Sequence, residues 1–553
     1  MSRVQRIVAR ANSHLNVKLA ATLLASSSLI SSLLGFLRDR LLNTYYYDTL
    51  PNYADAYTVA FIIPDFMFFV LVSGALSVTF IPVFNERMQA GNKKSAWELT
   101  GSLLNFLALI TLVTSVLIII FAEPLVQYVV GPGLDEVGRG LAASMMRVIA
   151  INPFLFAISS VIASVQQAVG RFTFYALAPV MYNIGIIVGI LWFTSGINIF
   201  GVQIFEGGIM GVALGVVLGS ALQLITSVVG LIGMGLDYEF KIFWKNHGFK
   251  RVLRLLPARS LDQGIDYFNN IVETNLASHM AYGSVRAYNQ ATTLYSVPVN
   301  LIGVAISTAA FPQMAQRLSQ GRPDLFRKEL QSILRIIIWL ALPIAAVVMF
   351  TSEYLAAFLF PKGAQVVATT LSILAIAILF RSVFHIASRS FYAQQDTRTP
   401  LYISLFAIGL NIVVAVLLTM KFNMGIYGLA IAQGMTAVVE VGILLWSMSK
   451  RIPKLIDTKF TSAIFRMLLA AASMSVVTIV TMLIMGPVLA DNGFYTLFPK
   501  FVLISAISMV VYAYVSRWFK LEEAEHVIKK AKQILGKLAF GQLGLSGKGK
   551  RQE

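Results

Sequence analysis

The chain contains no cysteine. Disulfides, thiolate metal sites and cysteine nucleophiles are therefore excluded, while the redox compartment stays open. Charge is scarce too: Asp, Glu, Lys and Arg make up 13% of the 553 residues, against 57% apolar residues. A soluble chain carries about 25% charged residues, so there is too little charge here to coat a water-facing surface. The five histidines are scattered and form no HExxH. No GxxxxGK[ST] loop exists, and the GLSGKGK near the end has neither its spacing nor its Ser/Thr. Nothing points to ATP hydrolysis, metal chemistry or a cofactor. Uphill transport would draw on a Na+ or H+ gradient, or on the membrane potential.

Long apolar runs are what the chain does have. A helix crosses the hydrocarbon core with about 20 mostly apolar residues. Fourteen stretches qualify: 18–37, 56–84, 98–122, 141–166, 174–195, 208–234, 255–280, 286–314, 331–351, 366–392, 399–420, 424–449, 464–486 and 498–516. The expected fold class is an all-α polytopic membrane protein with no extramembrane catalytic domain. The first stretch is too long for a signal peptide and lacks a small-x-small cleavage site.

The net charge of +18 tests this count. Cations cluster before the first span (Arg3, Arg6, Arg10), in the second loop (Arg87, Lys93, Lys94) and in the sixth (Lys241, Lys245, Lys250, Arg251). They do so again in the eighth (Arg317, Arg322, Arg327, Lys328) and twelfth (Lys450, Arg451, Lys454, Lys459). Odd-numbered loops hold isolated cations such as Arg139, Lys362, Lys421 and Lys500, the exception being Arg38 and Arg40 in the first. By the positive-inside rule both termini are expected in the cytoplasm. Beyond the last span, Leu521, Ile528, Ala531, Leu535 and Leu538 recur at helical spacing beside Lys529, Lys530 and Lys532. That pattern predicts a basic amphipathic helix on the anionic inner leaflet.

The chain also repeats itself. SGALSVTFIPVFNERMQAG (73–91) aligns without gaps to GVAISTAAFPQMAQRLSQG (303–321), pairing Ala75, Ser77, Pro82, Arg87 and Gly91 with Ala305, Ser307, Pro312, Arg317 and Gly321. Gln167 and Arg171 before Asn183 match Gln394 and Arg398 before Asn411 at a similar offset. Apolar alphabets are small and match by chance, but Pro, Arg and Gly at element ends do so less readily. The repeat pairs spans 1–6 with spans 7–12 in the same direction, predicting two pseudo-symmetric six-helix lobes around a central cavity, plus two C-terminal helices. The implied division is an N-terminal lobe (1–236), a C-terminal lobe (237–455), the last two helices (456–516) and the basic tail (517–553).

An ionisable side chain at membrane depth costs at least about 2.5–3.5 kcal/mol, so it lines a cavity or pairs with a partner. Here Arg38 and Asp39 close the first span, Asp65 follows Pro64 in the second, Arg147 lies in the fourth and Glu440 in the twelfth. In the seventh, Asp262, Asp266, Asn269, Asn270 and Glu273 share one helical face, as do Arg381, His385 and Arg389 in the tenth. Each charge taken singly reads equally well as an interhelical staple. Two polar faces of three turns each favour a water-filled cavity. Pro64, Pro298 and Pro343 are expected to bend their spans.

Several stretches resemble the MurJ/MviN family, the lipid II flippases of the multidrug/oligosaccharidyl-lipid/polysaccharide exporter superfamily. They are SSLLGFLRD (31–39), ADAYTVAFIIPDFMFFVLVSGALSVTFIPVF (54–84), GPGL (131–134), GRFTFYALAPVMYNIGII (170–187), GSVRAYNQATTLYSVPVNLIGVAISTAAFPQMAQRL (283–318) and FYAQQDTRTP (391–400). The resemblance implies a flippase of the bacterial inner membrane that serves peptidoglycan and cell-wall biogenesis and cell shape. Its substrate would be lipid II, a polyprenyl diphosphate bearing the disaccharide-pentapeptide unit. The diphosphate would enter a cationic cavity and cross by alternating access, with the polyprenyl tail in a groove by the last two helices. The expected working unit is a monomer, with a cell-wall synthesis complex as a partner and no nucleic acid.

The chain departs from the family where it matters. Arginines expected in the first, second and eighth spans read Ser32, Phe68/Phe69 and Thr293; an acid reads Ser73, and a lysine of the tenth span reads His385. Arg38, Asp39, Asp55, Arg171, Arg389 and Arg398 remain. Other cations that could take over are Arg147, Arg259, Arg286 and Arg381. The expected substrate contacts are Arg38, Arg389 and Arg381, with Asp39, Asp55 and Arg147. Asp262, Asp266, Glu273 and Asp65 are expected to bind a coupling ion or pair with cations. Arg398 is expected to cap the helix ends it joins. The rival readings are a flippase for another oligosaccharide-lipid, a cation-coupled multidrug exporter, an inactive scaffold, and a polyprenyl-phosphate-dependent glycosyltransferase. The last usually needs an acidic motif in a long first outer loop, and here that loop is short, with Asp39 and Asp48 alone.

Overall fold

The computed structural model describes residues 17–47, 50–73, 76–199, 202–235, 238–486 and 493–525. Long helices dominate it. They are α1 (Val17–Tyr46), α2 (Pro51–Val72), α3 (Lys93–Val130), α4 (Glu136–Ala168), α5 (Thr173–Ser195), α6 (Met210–Val229) and α7 (His247–Ser278). After these come α8 (Ser284–Ser319), α9 (Pro323–Leu359), α10 (Ala364–Ala393), α11 (Arg398–Lys421), α12 (Gly425–Arg451), α13 (Thr458–Met485) and α14 (Phe494–Trp518). Twelve are long and apolar enough to cross a membrane; α1 and α7, 30 and 32 residues long, are not among these twelve. A short helix, Ile81–Gln89, precedes α3, and a small antiparallel hairpin, β1 (Ile197–Ile199) with β2 (Val202–Phe205), joins α5 to α6. Apart from this hairpin, the described architecture is the helical, multi-pass one that the composition implies. The basic tail helix falls at 526–553, outside the described residues.

Side chains set the helix starts. Asn92, Asp135, Asn246 and Asp457 accept the first free backbone N–H groups of α3, α4, α7 and α13. Prolines widen the ladder rather than break it. Pro124 and Pro298 each lead into a segment of π-helical turns, Leu125–Val130 and Val299–Val304, because a residue without an N–H frees an upstream carbonyl. The aligned repeat has a common backbone signature. Gly91 and Gly321 both end their helices at positive φ, +76° and +67°. The next residue donates back to the matched arginine carbonyl in each case, Asn92 to Arg87 at 3.0 Å and Arg322 to Arg317 at 3.0 Å.

The chain divides into two compact units. One comprises Met1–Asn289 with Leu359–Ala364 and Ala415–Leu429; the other comprises Gln290–Phe358, Gln365–Val414 and Ala430–Glu553. In the first, Phe80, Phe84, Trp97, Leu103 and Phe249 build a core from α3, α7 and the segment between α2 and α3. There α5 and α6 approach almost backbone to backbone: a Cβ at Gly185 would collide with Gly219, and one at Gly189 with Gly215. Small residues permit this approach where lipid supplies no hydrophobic drive between helices. In the second unit, Phe326, Leu334, Phe391 and Leu444 form one core. Trp339 and Tyr512 form another with Met467 and Met474, joining α9 to α13 and α14. Leu109, Val113, Leu117 and Ile120 on α3 remain exposed, as do Leu483 and Ile484 on α13, as lipid-facing residues do.

Candidate functional site

The densest polar network is built from α1 outward. Asp39 and Asn43 share one face of α1, and Tyr47 follows four residues on, just past its end. Asp39 accepts from Arg38 Nε at 3.2 Å and from Arg286 Nη2 at 3.0 Å. Arg286 is 4% exposed at its side chain. It also donates from Nε to Asn43 Oδ1 at 3.3 Å and lies over the Tyr57 ring at 5.9 Å. Asp55, buried near the start of α2, accepts the backbone N–H groups of Gly283 at 2.6 Å and Arg286 at 2.8 Å. The Tyr47 hydroxyl donates to the Gly283 carbonyl at 3.4 Å, and Asn43 donates to the carbonyl of Lys362 at 3.4 Å. Gly283 and Gly363 hold positive φ, +87° and +74°, and a side chain on either would strike Tyr47. The start of α8 is thus fixed to α1 and α2 by two buried carboxylates.

Arg38 reaches Asn183 Oδ1 on α5 at 3.4 Å, and Asn183 donates to the Ser31 carbonyl at 3.2 Å. The side chain of Asp65 is half-buried and forms no hydrogen bond or ion pair among the described residues. Where the family resemblance implies arginines on α2, Phe69 stacks on Tyr267 of α7 at 4.1 Å and 19°. Phe68 meets Phe156 edge-on, and Phe156 meets Tyr182. Glu273 of α7 is buried and accepts from Asn269 at 2.9 Å. The side chains of Asp262, Asp266 and Arg259 lie outside the described residues.

In the second unit, Arg381 on α10 pairs with Glu440 on α12 at 3.1 Å, and Glu440 accepts from Ser404 on α11 at 2.8 Å. Arg389, two turns along from Arg381, is partly exposed, and its side chain forms no hydrogen bond or ion pair among the described residues. The matched repeat residue Asn411 accepts from Thr436 at 3.5 Å. Arg147, in the first unit, forms an exposed pair with Glu123 at 2.7 Å.

In FYAQQDTRTP the cap is Asp396, not Arg398. Asp396 accepts from the backbone of Arg398 and Thr399, both at 3.0 Å, and from the Thr399 hydroxyl at 2.6 Å. Arg451 closes the turn onto Asp396 at 2.7 Å. The Thr399 hydrogen bond, with Arg451 beside it, holds the Asp396 carboxyl at about 2. Arg398 contributes only its backbone N–H, because a carboxylate can accept the first free N–H groups of α11 and a guanidinium cannot.

The structure thus brings Arg38, Asp39 and Asp55 into one network and adds Arg286. It pairs Arg381, leaves Arg389 open and gives Arg147 an exposed partner, Glu123. Asn43 and Tyr47 escaped the sequence reading, although their spacing after Asp39 was a signal for them.

Among known proteins, the family model described as Lipid II flippase MurJ matches residues 51–498. The probable lipid II flippase MurJ of Thermotoga maritima is 26% identical over 486 residues, covering 86% of this chain and 91% of its own. That of Buchnera aphidicola subsp. Acyrthosiphon pisum is 25% identical, covering 82% and 87%. A solved lipid II flippase MurJ in an inward closed conformation superposes with a TM-score of 0.72 at 22% identity, covering 90% of this chain and 98% of that one. An inward-facing MATE family transporter of the MOP superfamily superposes with 0.64 at 16% identity, covering 77% and 96%. The family match takes in most of the chain, from the start of α2 into α14, and the chain is a member of the MurJ lipid II flippase family.

Proposed function

We propose that this protein carries lipid II from the inner to the outer leaflet of the bacterial cytoplasmic membrane by alternating access, without covalent chemistry. The observation that carries this reading is the family match over residues 51–498. A half-buried guanidinium on α1, Arg38 beside Asp39, suits a diphosphate, since Arg presents paired donors to phosphate oxygens. In this reading Arg38 and Arg389 are phosphate contacts and Arg381 a third cation. Glu273, with Asp65, Asp262 and Asp266, serves a coupling ion or balances charge. Both termini face the cytoplasm, as the Lys and Arg alternation supports. The working unit is a monomer that delivers to a cell-wall synthesis complex.

The decisive test is translocation of lipid II by the purified chain in vesicles, with and without an imposed potential. Lipid II appearing on the far leaflet at a rate above protein-free vesicles supports the reading, and potential dependence identifies the drive. Equal rates with and without protein would refute it. A second reading, export of a different cargo, is favoured by the Phe69–Tyr267 stack where cations were expected. Drug cations or other oligosaccharide-lipids outcompeting lipid II in that assay would select it.

A further inference from the structure

We propose that an open pocket of about 800 Å³, lined by the short helix Ile81–Gln89, the start of α3 and the loop before α7, binds the phosphate group of an anionic membrane lipid. The inference does not depend on what the protein transports.

The walls are built before any ligand arrives. Asn105 on α3 donates to the carbonyls of Glu239 at 3.0 Å and Lys241 at 3.1 Å. Ser102 accepts the Phe243 N–H at 2.8 Å, and Asn246 donates to the Ser95 carbonyl at 3.2 Å. The loop is therefore stitched to α3 rather than draped over it.

The lining has an excess of unpaired positive charge. Arg87, Lys241 and Lys245 line the cavity, and none forms an ion pair among the described residues. Of the two acids there, Glu86 is paired with Arg251 at 3.0 Å, and Glu98 accepts from Asn246 at 3.4 Å. The Arg87 guanidinium packs flat on Gly248, where a Cβ would lie 2.6 Å from its Cζ. Its Nε is buried without a hydrogen-bond partner. A guanidinium fixed against Gly248, with two lysines in the same lining, presents charged donors that match a phosphate group.

The loop also says where that phosphate comes from. Phe240 is 92% exposed and Trp244 55% exposed, beside the lysines. Large aromatics next to cations at the end of a span are the pattern of a chain seated at headgroup depth. Basic pockets at such a depth take anionic headgroups.

The test is binding by the full chain in phosphatidylcholine nanodiscs, read by native mass spectrometry. The probes are phosphatidylglycerol, added phosphatidylcholine and inorganic phosphate. Phosphatidylglycerol should bind about tenfold tighter than phosphatidylcholine, and inorganic phosphate should displace it only weakly. Arg87→Gln/Lys241→Gln/Lys245→Gln should abolish the preference. Arg87→Lys/Lys241→Arg/Lys245→Arg should keep it, and so should Lys93→Gln/Lys94→Gln outside the lining. If the triple neutral variant fails to fold, Lys245→Gln alone should weaken the preference a few-fold. Equal binding of the two lipids, an unchanged preference in the neutral variants, or binding of free phosphate without the lipid would each overturn the proposal.

Discussion

Arg286 and Asp39 form a buried ion pair at 3.0 Å, and the backbone N–H of the same arginine is held by Asp55. One residue at the start of α8 is thereby fixed through its side chain to α1 and through its main chain to α2. Removing the Asp39 carboxylate leaves the buried Arg286 without its charged partner, which costs about 3–5 kcal/mol, whereas removing Arg286 leaves Asp39 paired with Arg38. Arg286→Gln and Asp39→Asn should each lower the melting temperature in detergent markedly. The double variant should lose less than the sum of the two, because both single changes remove the same interaction. Strict additivity in a double-mutant cycle would contradict the pairing.

Asp55 uses both carboxylate oxygens, at 2.6 Å and 2.8 Å, on backbone N–H groups. An asparagine has one acceptor oxygen and turns an NH2 toward the other donor. Asp55→Asn should therefore destabilise by about 1–3 kcal/mol. Thermal unfolding checks this, and a variant as stable as the parent would show those hydrogen bonds to be unimportant.

The contact of α5 with α6 leaves no room at Gly185 and Gly189. Gly185→Leu should separate the two helices and sharply reduce the folded yield. Gly409 on α11 has open space around it, so Gly409→Ala should leave yield and melting unchanged. Size-exclusion profiles of the two variants make the comparison.

Asp396 titrates at about 2 in the folded protein, below the value of about 3.9 for an unfolded chain. Because the folded value is the lower one, its stabilisation is present above about pH 4 and is lost as pH falls toward about 2. Asp396→Asn should flatten that limb of the stability profile. Asp396→Ala should also cost about 1 kcal/mol through loss of the cap. Melting curves between pH 2 and 5 separate the two effects.

Arg389→Ala should abolish rescue of a strain depleted of its lipid II flippase while leaving membrane abundance intact. Arg147→Ala removes an exposed pair with Glu123, worth about 0–1 kcal/mol, and should rescue like the parent. Full rescue by Arg389→Ala would remove Arg389 from the transport site.

The membrane architecture was legible in the chain because runs of about 20 apolar residues have few alternatives in lipid. The aligned repeat was legible as well, since Gly91 and Gly321 serve the same backbone turn, which demands a positive φ. Charged positions such as Arg38, Asp39, Arg381 and Glu440 could be found by their cost at membrane depth. Their partners could not. Asp39 and Arg286 are 247 residues apart, and Arg381 and Glu440 are 59 apart, so nothing local encodes either meeting. Composition and periodicity decide which segments enter the bilayer, because that energy is summed along the chain. Pairing depends on angles and distances between helices, and only the folded packing sets these. That is why tertiary structure alone bound Arg286 into a clasp and left Arg389 open, whereas the Asp396 cap, two and three residues from the N–H groups it accepts, is a local feature.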